Sequence, residues 1–75
     1  MVTVNAVLDA TGLKCPLPVL KAKRSLKALA AGEVLEVTAT DPGAVADFRH
    51  FCEIGGHTLI DTEEAAGVFT FRIRK

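Results

Sequence analysis

The chain has 75 residues, of which 49% are hydrophobic and 24% charged, and its formal net charge at pH 7 is zero. This length predicts one domain, residues 1–75, with a thin core and modest stability. The neutral charge excludes a protein drawn to nucleic acids or membranes by its overall field, and no apolar run is long enough to span a membrane.

The two cysteines, Cys15 and Cys52, are too few for a disulfide scaffold and too far apart in sequence for a redox pair of the CxxC type. Residues 1–10 lack the basic segment and long apolar stretch of a signal peptide. We therefore expect a cytoplasmic protein with two free thiols.

Apolar and polar side chains alternate over residues 2–9, which predicts a strand with one buried face. A break at Gly12 precedes a helix predicted over residues 16–29, and Gly32 is predicted to close it in a left-handed conformation. The apolar side of this helix comprises Val19, Ala22, Leu26 and Leu29, with Leu20 beside them.

A second strand is predicted over residues 33–40, and a second helix over residues 42–54. Asp41 followed by Pro42 is a typical helix start, with a capping carboxylate before a proline in the first turn. A glycine pair ends this helix. Its apolar side comprises Val45, Phe48 and Cys52, with Phe51 adjacent.

Two more strands are predicted over residues 57–61 and 68–74, joined by a turn. The order βαβαββ predicts parallel crossovers followed by a hairpin. Because each strand has one apolar face, both helices are expected on one face of a mixed four-stranded sheet, with the other face more polar. The predicted fold class is a two-layer α/β (α+β) sandwich.

The entrance of the first helix contains a cysteine and two prolines. With Cys15 as the N-cap, Pro16 and Pro18 occupy the first and third helical positions, where a missing N–H breaks no helical bond. The N–H of Leu17 then remains free to face the cap. We expect the prolines to fix the start of the helix and stiffen it.

A cysteine is a poor neutral cap, but a thiolate suits the positive end of a helix. We therefore predict a lowered pKa and partial exposure for Cys15, with Lys14 acting in the same direction. The alternative is that Cys15 is a small buried apolar residue. Its position in a loop rich in glycine and proline favours the reactive interpretation.

Several chemistries fit Cys15 poorly. The two histidines, His50 and His57, lie near the far end of the second helix, so no base is predicted beside the thiol. Cys52 is predicted to pack in the core, about 15 Å from the level of Cys15, too far for a disulfide. The spacing of His50, Cys52 and His57 matches no usual zinc pattern, so no metal is expected. The remaining interpretation is that Cys15 is an exposed thiol that accepts sulfur from a persulfide.

The segment "LDATGLKCPLP" resembles the signature of the TusA-like (SirA-type) sulfur-carrier family, which has Asp, Gly and then Cys-Pro-x-Pro. The matching residues are Asp9, Gly12, Cys15, Pro16 and Pro18. The segment "TATDPGAVADFRHFCEIGGHTL" resembles the second block of the family, and the resemblance covers nearly the whole chain. The residues that match this block are Asp41, Pro42, Phe51, Cys52, Gly56 and His57.

The resemblance implies the βαβαββ sandwich and a sulfurtransferase that carries a persulfide on Cys15 without a cofactor. It implies a donor, either a cysteine desulfurase or another persulfide donor, and an acceptor protein. The acceptor would serve tRNA 2-thiouridine synthesis, sulfur oxidation or molybdenum-cofactor supply. Some members have an acidic residue between the two prolines, where this chain has Leu17.

The loop residues Asp9 and Gly12 also have structural explanations. Asp9 can accept hydrogen bonds from backbone N–H groups in the turn before the helix, and Gly12 can supply a positive φ. We place both beside Cys15 as supporting residues of the site. The other supporting residues are Lys14, Pro16, Leu17 and Pro18.

Basic side chains crowd the first helix, and no acidic residue lies among them. They form either a solvated face or a docking surface for acidic donors and acceptors. The candidate docking residues are Lys21, Lys23, Arg24 and Lys27, with Lys14 nearby. Direct binding of nucleic acid is not expected, since the four aromatic residues are all Phe and mostly at core positions.

Two alternative functions remain open at this point. One is a regulatory binding module that docks a protein or RNA through the basic first helix, without chemistry at Cys15. The other is a small thiol oxidoreductase, which requires a disulfide between Cys15 and Cys52 or between two chains.

Overall fold

A computed structural model of the chain describes residues 3–75 and confirms the predicted element order and the α+β fold class. Helices alternate with the first three strands, and the last two strands follow one another directly. The elements are β1 (Ala6–Ala10), α1 (Leu17–Lys27), β2 (Val34–Ala39), α2 (Ala44–Gly55), β3 (Thr58–Ala65) and β4 (Val68–Arg74).

The four strands form one mixed sheet in the order β1-β2-β4-β3. β1 pairs with β2 in parallel, and β4 lies antiparallel between β2 and β3. β2 and β3 therefore run in the same direction without touching, as the predicted crossovers require. Because α1 follows β1 and α2 follows β2, both helices begin at the same end of the sheet, where β1 and β2 finish.

Both helices pack on one face of the sheet and against each other. Phe48 of α2 and Phe71 of β4 are fully buried and stacked, with ring centroids 4.5 Å apart. In α1, Ala22 and Leu26 are buried as predicted, whereas Leu20 at the side of the apolar stripe is 55% exposed. The other buried core residues are Ala10, Leu35, Val37, Ala39, Ala44, Cys52 and Ile73.

The opposite face of the sheet is polar, as predicted. Arg72 lies at its centre and donates to Glu36 at 3.1 Å and to Asp61 at 2.8 Å, with Glu63 at 3.6 Å. The hydrogen bond to Asp61, together with the three negative charges, raises the pKa of Arg72. Val7 is an apolar residue on this face, with 69% of its surface exposed.

Two strands differ from the predicted bounds. β1 begins at Ala6 rather than near residue 2. The side chain of Asn5 accepts the N–H of Val34 at 2.9 Å, and this bond replaces a backbone bond of the strand ladder. Residues 1–2 of the predicted strand lie outside the described part of the chain. β3 continues to Ala65, four residues further than predicted, because it pairs with β4 up to the turn. That turn has two residues with positive φ, Ala66 and Gly67, as in a tight hairpin.

The helices also start and end differently. α1 ends at Lys27, and Gly32, which has a φ of +88°, lies in the next turn and donates to the carbonyl of Lys75 instead of capping α1. α2 begins at Ala44, two residues later than predicted, and ends at Gly55, one residue later; the glycine pair ends it as predicted, with Gly56 in a left-handed conformation. Neither helix within residues 3–75 is long and apolar enough to cross a membrane.

Candidate functional site

The site forms at the end of the sheet where β1 and β2 finish and both helices begin. Two loops meet there, one between β1 and α1 and the other between β2 and α2. The N–H of Gly12 donates to Thr40 Oγ1 at 2.9 Å, and the N–H of Cys15 donates to Asp41 Oδ2 at 2.6 Å. These bonds join segments 28 and 26 residues apart in sequence.

The turn before α1 has the predicted supporting contacts. Asp9 Oδ1 accepts the backbone N–H of Thr11 at 2.9 Å and its hydroxyl at 2.6 Å. Both bonds lower the pKa of Asp9, and the bond from the hydroxyl has the larger effect. Gly12 has a φ of +79°, a conformation that other residues adopt only with strain. Asp9 and Gly12 thus shape the loop that leads to the cysteine.

The predicted capping role of Cys15 is wrong, because the cap of α1 is Pro16 and the helix begins at Leu17. Cys15 therefore lies one residue before the cap, and the peptide bond that joins it to Pro16 is cis. The N–H of Leu17, expected to be free, donates to the carbonyl of Lys14 at 2.9 Å. Pro18 is buried in the first turn and needs no helical N–H there, as predicted.

The side chain of Cys15 is exposed, and its thiol donates a hydrogen bond to Asp47 Oδ2. This bond is the main reason why the pKa of Cys15 is raised, and partial desolvation and the charges of Asp47 and Asp41 act in the same direction. The predicted lowering of the pKa of Cys15 is therefore wrong. Asp41, in the loop before α2, and Asp47, in the first turn of α2, place two negative charges near the thiol, and both charges disfavour its thiolate form.

The predicted capping role of Asp41 is wrong, because the cap of α2 is Gly43; the carboxylate of Asp41 instead connects the two loops. Its Oδ2 accepts the N–H of Cys15 and its Oδ1 accepts the N–H of Gly43 at 3.1 Å. These bonds lower the pKa of Asp41, and the charge of Lys14 contributes. Lys14 therefore acts on Asp41, and the prediction that it favours a Cys15 thiolate is not supported.

Alkylation of Cys15 by iodoacetamide is expected to be slower at neutral pH than that of the same chain unfolded in urea. Because the pKa of Cys15 is raised, a smaller fraction of it is thiolate, the reactive form, at pH values below the ordinary pKa of a thiol. The initial rate should continue to rise at pH values where the unfolded chain has already reached its plateau. Peptide mapping would assign the reaction to Cys15, and a plateau at lower pH in the folded protein would contradict the expectation.

The other predicted chemistry-bearing residues lie apart from the thiol. Cys52 is 3% exposed in the core, and burial raises its pKa. Both cysteines are free, and the burial of Cys52 leaves Cys15 without an accessible second thiol in the same chain for an oxidoreductase reaction. His57 packs against Phe51, with ring centroids 5.3 Å apart. Among residues 3–75, no three His, Cys, Asp or Glu side chains are grouped as metal ligands.

A cleft of about 480 Å³ lies between α1 and α2 and adjoins the thiol through Pro16 and Asp47. Its walls are mainly apolar, formed by Val19, Leu26, Phe51 and Ile54. Basic and histidine side chains complete its lining: Lys23, Lys27, His50, His57 and Lys75. Of the predicted docking residues, Lys23 and Lys27 therefore border the cleft beside the site.

The remaining predicted docking residues occupy other parts of α1. Arg24 lines a second, shallow depression together with Leu20, Lys23 and Lys27, whereas Lys21 is exposed and lines neither concavity. Leu17, immediately after the cap, is 46% exposed. The basic residues of α1 thus do not form one continuous face around Cys15.

The sequence interpretation missed two features of the site. Asp47 was not identified, although the predicted parallel crossovers already placed the first turn of α2 beside the first turn of α1. Lys75 was also missed; its ammonium donates to the carbonyls of Lys27 and Leu29 and brings the chain's last residue to the cleft. The predicted topology could have identified Asp47 as a neighbour of Cys15, whereas only the packed structure places Lys75 at the cleft.

The fold and site define a small α+β domain that presents one exposed thiol beside paired carboxylates, at a cleft between two helices. Residues 6–75 match the family described as Sulfurtransferase TusA. The chain therefore belongs to the TusA sulfurtransferase family, as its cysteine-proline motif predicted.

Relatives and a solved structure agree with this assignment. A sulfur carrier protein TusA of Allochromatium vinosum is 48% identical over 75 residues, covering 100% of this chain and 99% of the relative. One from Pseudomonas putida strain GB-1 is 49% identical over 73 residues, 97% of this chain and 91% of the relative. The crystal structure of a SirA-like protein from Desulfitobacterium hafniense superposes with a TM-score of 0.82 at 30% identity, covering 92% of this chain and 95% of that one. The prediction of a sulfur carrier of this family is confirmed by these matches.

Proposed function

We propose that Cys15 accepts a sulfane sulfur from a donor, holds it as a persulfide and passes it to an acceptor protein. The observation that carries this proposal is the exposed thiol of Cys15 beside the cleft between α1 and α2. The second thiol, Cys52, is buried in the core and would have no access to a donor. Membership of a sulfurtransferase family supports the same role.

The transfer follows the chemistry of thiol exchange. Cys15 Sγ forms a bond with the outer sulfur of the donor persulfide, and the bond between the two donor sulfurs breaks. The donor leaves as a thiol, and the sulfane sulfur keeps its oxidation level. In delivery, a thiol of the acceptor attacks the outer sulfur on Cys15 and Cys15 is the leaving group. Neither step requires a cofactor, an oxidant or a metal.

The supporting residues act by placing the thiol. Asp9 and Gly12 shape the preceding turn, and Pro16 and Pro18 fix where α1 begins. Leu17 and Leu20 leave an apolar surface, 46% and 55% exposed, beside the cysteine loop. A protein partner that brings its own sulfur to Cys15 would cover this surface, so the residue between the prolines is suited to influence partner choice.

The proposed donor is a cysteine desulfurase or another persulfide donor. The acceptor belongs to tRNA 2-thiouridine synthesis, sulfur oxidation or molybdenum-cofactor supply. The exposed basic residues of α1 would steer acidic partners more than they hold them. The proposed steering residues are Lys21, Lys23, Arg24 and Lys27. A reducing compartment such as the cytoplasm would keep both cysteines free, and residues 1–75 would act as one domain.

Incubation with a cysteine desulfurase and cysteine is expected to add one sulfur atom, about 32 Da, to the intact protein. The added mass should disappear after reduction with dithiothreitol and should map to the peptide that contains Cys15. A second sulfur on Cys52 is not expected, since that thiol is buried. Absence of any added sulfur, with this donor and with glutathione persulfide, would refute the proposed function.

A further inference from the structure

We propose that Asp47 is a catalytic residue of sulfur transfer, which accepts the proton of the Cys15 thiol and returns it to the departing sulfur. This inference rests on the proposed function, because it concerns the same reaction at the same cysteine. Its basis is the direct contact between the thiol and a carboxylate from the other helix.

The position of Asp47 suits this role. The residue lies in the first turn of α2, where the helix dipole favours a negative charge, and its backbone N–H donates to the carbonyl of Gly43 at 3.2 Å. Its Oδ2 accepts the thiol hydrogen of Cys15, and the same half-buried side chain lines the cleft between the helices. The carboxylate therefore touches the nucleophile and borders the space beside it.

A proton acceptor is needed because Cys15 is held as a thiol. The thiolate is the nucleophile in sulfur exchange, yet the surroundings of Cys15 raise its pKa. Among the charged groups that face the loop, Asp41 is occupied by two backbone N–H groups, and the positive charge of Lys14 acts on Asp41. Within residues 3–75, Asp47 is the side chain whose oxygen is hydrogen-bonded to the sulfur.

The step balances without another reactant. As Cys15 Sγ bonds to the outer sulfur of the donor, the thiol proton moves to Asp47 Oδ2. The bond between the donor sulfurs breaks, and its electron pair goes to the inner sulfur, which leaves as a thiolate. Asp47 then gives the proton to this thiolate, so the carboxylate is regenerated. Delivery to an acceptor is the reverse, with Asp47 protonating Cys15 as it leaves.

Asp47→Asn separates proton transfer from the electrostatic effect, because the amide oxygen can still accept the thiol hydrogen but is not basic. Removal of the charge should lower the pKa of Cys15, so alkylation by iodoacetamide at neutral pH should become faster than in the wild type. Loss of the proton acceptor should make sulfur uptake from glutathione persulfide at least about tenfold slower at neutral pH. The two rates should therefore change in opposite directions.

The dependence of sulfur uptake on pH gives a second measurement, and it would not change if Asp47 only stabilised the structure. Sulfur uptake by Asp47→Asn should rise with pH in proportion to the thiolate, whereas the wild type should depend less on pH near neutrality. Asp47→Glu, which keeps a carboxylate, should recover part of the uptake rate. Glu64→Gln removes the same charge from an exposed residue of β3, which is separated from β1 by β2 and β4, and should match the wild type in both rates.

The outcomes distinguish this inference from the proposed function. If wild type takes up sulfur on Cys15 but Asp47→Asn takes it up faster or equally fast, Asp47 is not the proton acceptor and the carrier function stands. If the wild type gains no sulfur, the carrier function itself fails. Unchanged circular dichroism of Asp47→Asn would confirm that the variant is folded, and Asp47→Glu provides an independent measurement if it is not.

Discussion

Replacement of Cys15 with serine is expected to abolish sulfur loading, the largest functional effect of any single substitution in this chain. A serine hydroxyl can still donate to Asp47, so the loop should keep its shape. Oxygen is a far poorer nucleophile toward sulfur at neutral pH and cannot form a persulfide. Intact-mass spectrometry after exposure to a persulfide donor should show complete loading of the wild type and none of Cys15→Ser.

Cys52→Ala is the matched control, because it removes the other thiol of the chain. Cys52 is 3% exposed within the core, so its loss should leave sulfur loading complete and cost only some stability. Equal sulfur loading of Cys15→Ser and the wild type would contradict the assignment. Loading that requires Cys52 would instead indicate that the helices separate during the reaction.

Phe48→Ala is expected to have the largest effect on stability, with a loss of about 3–5 kcal/mol in the free energy of unfolding. Phe48 is fully buried and stacks on Phe71 across the interface between α2 and the sheet. A domain of 75 residues has a thin core, so this loss should leave much of the protein unfolded at 37 °C. Urea unfolding followed by circular dichroism would measure it.

Ile54→Ala tests whether this effect comes from burial. Ile54 lies on the same helix but is 73% exposed, so its truncation should change the free energy of unfolding by less than about 0.5 kcal/mol. Similar losses for the two substitutions would mean that Phe48 does not stabilise the fold through the core. The comparison keeps the helix constant and contrasts a buried with an exposed apolar side chain.

The raised pKa of Cys15 gives an exposed thiol that is less reactive than its position suggests. A protonated thiol is oxidised and alkylated more slowly than a thiolate. The same carboxylate that suppresses unassisted reactions would, in the proposed mechanism, accept the proton when a donor persulfide is present. The carrier would then react selectively with a bound partner and slowly with other electrophiles.

Much of the fold could be predicted because its signals are local. Alternation in β2 and β4 and the apolar stripe of α2 identified buried residues such as Leu35, Phe48 and Phe71, which the structure confirms. The end of β3 could not be predicted in this way. Its last residues, including Glu63 and Glu64, are exposed and polar, and they are strand because β4 pairs with them.

The sequence by itself determined the element order, the cysteine before two prolines, and the loop roles of Asp9 and Gly12. These depend on side-chain periodicity and on contacts within a few residues. Only the tertiary structure decided the protonation of Cys15. The carboxylate that accepts its thiol hydrogen belongs to Asp47, 32 residues further along the chain. Electrostatic interactions depend on distance in space, so the parallel crossovers that bring both helix starts together reversed the pKa shift that the helix entrance predicted.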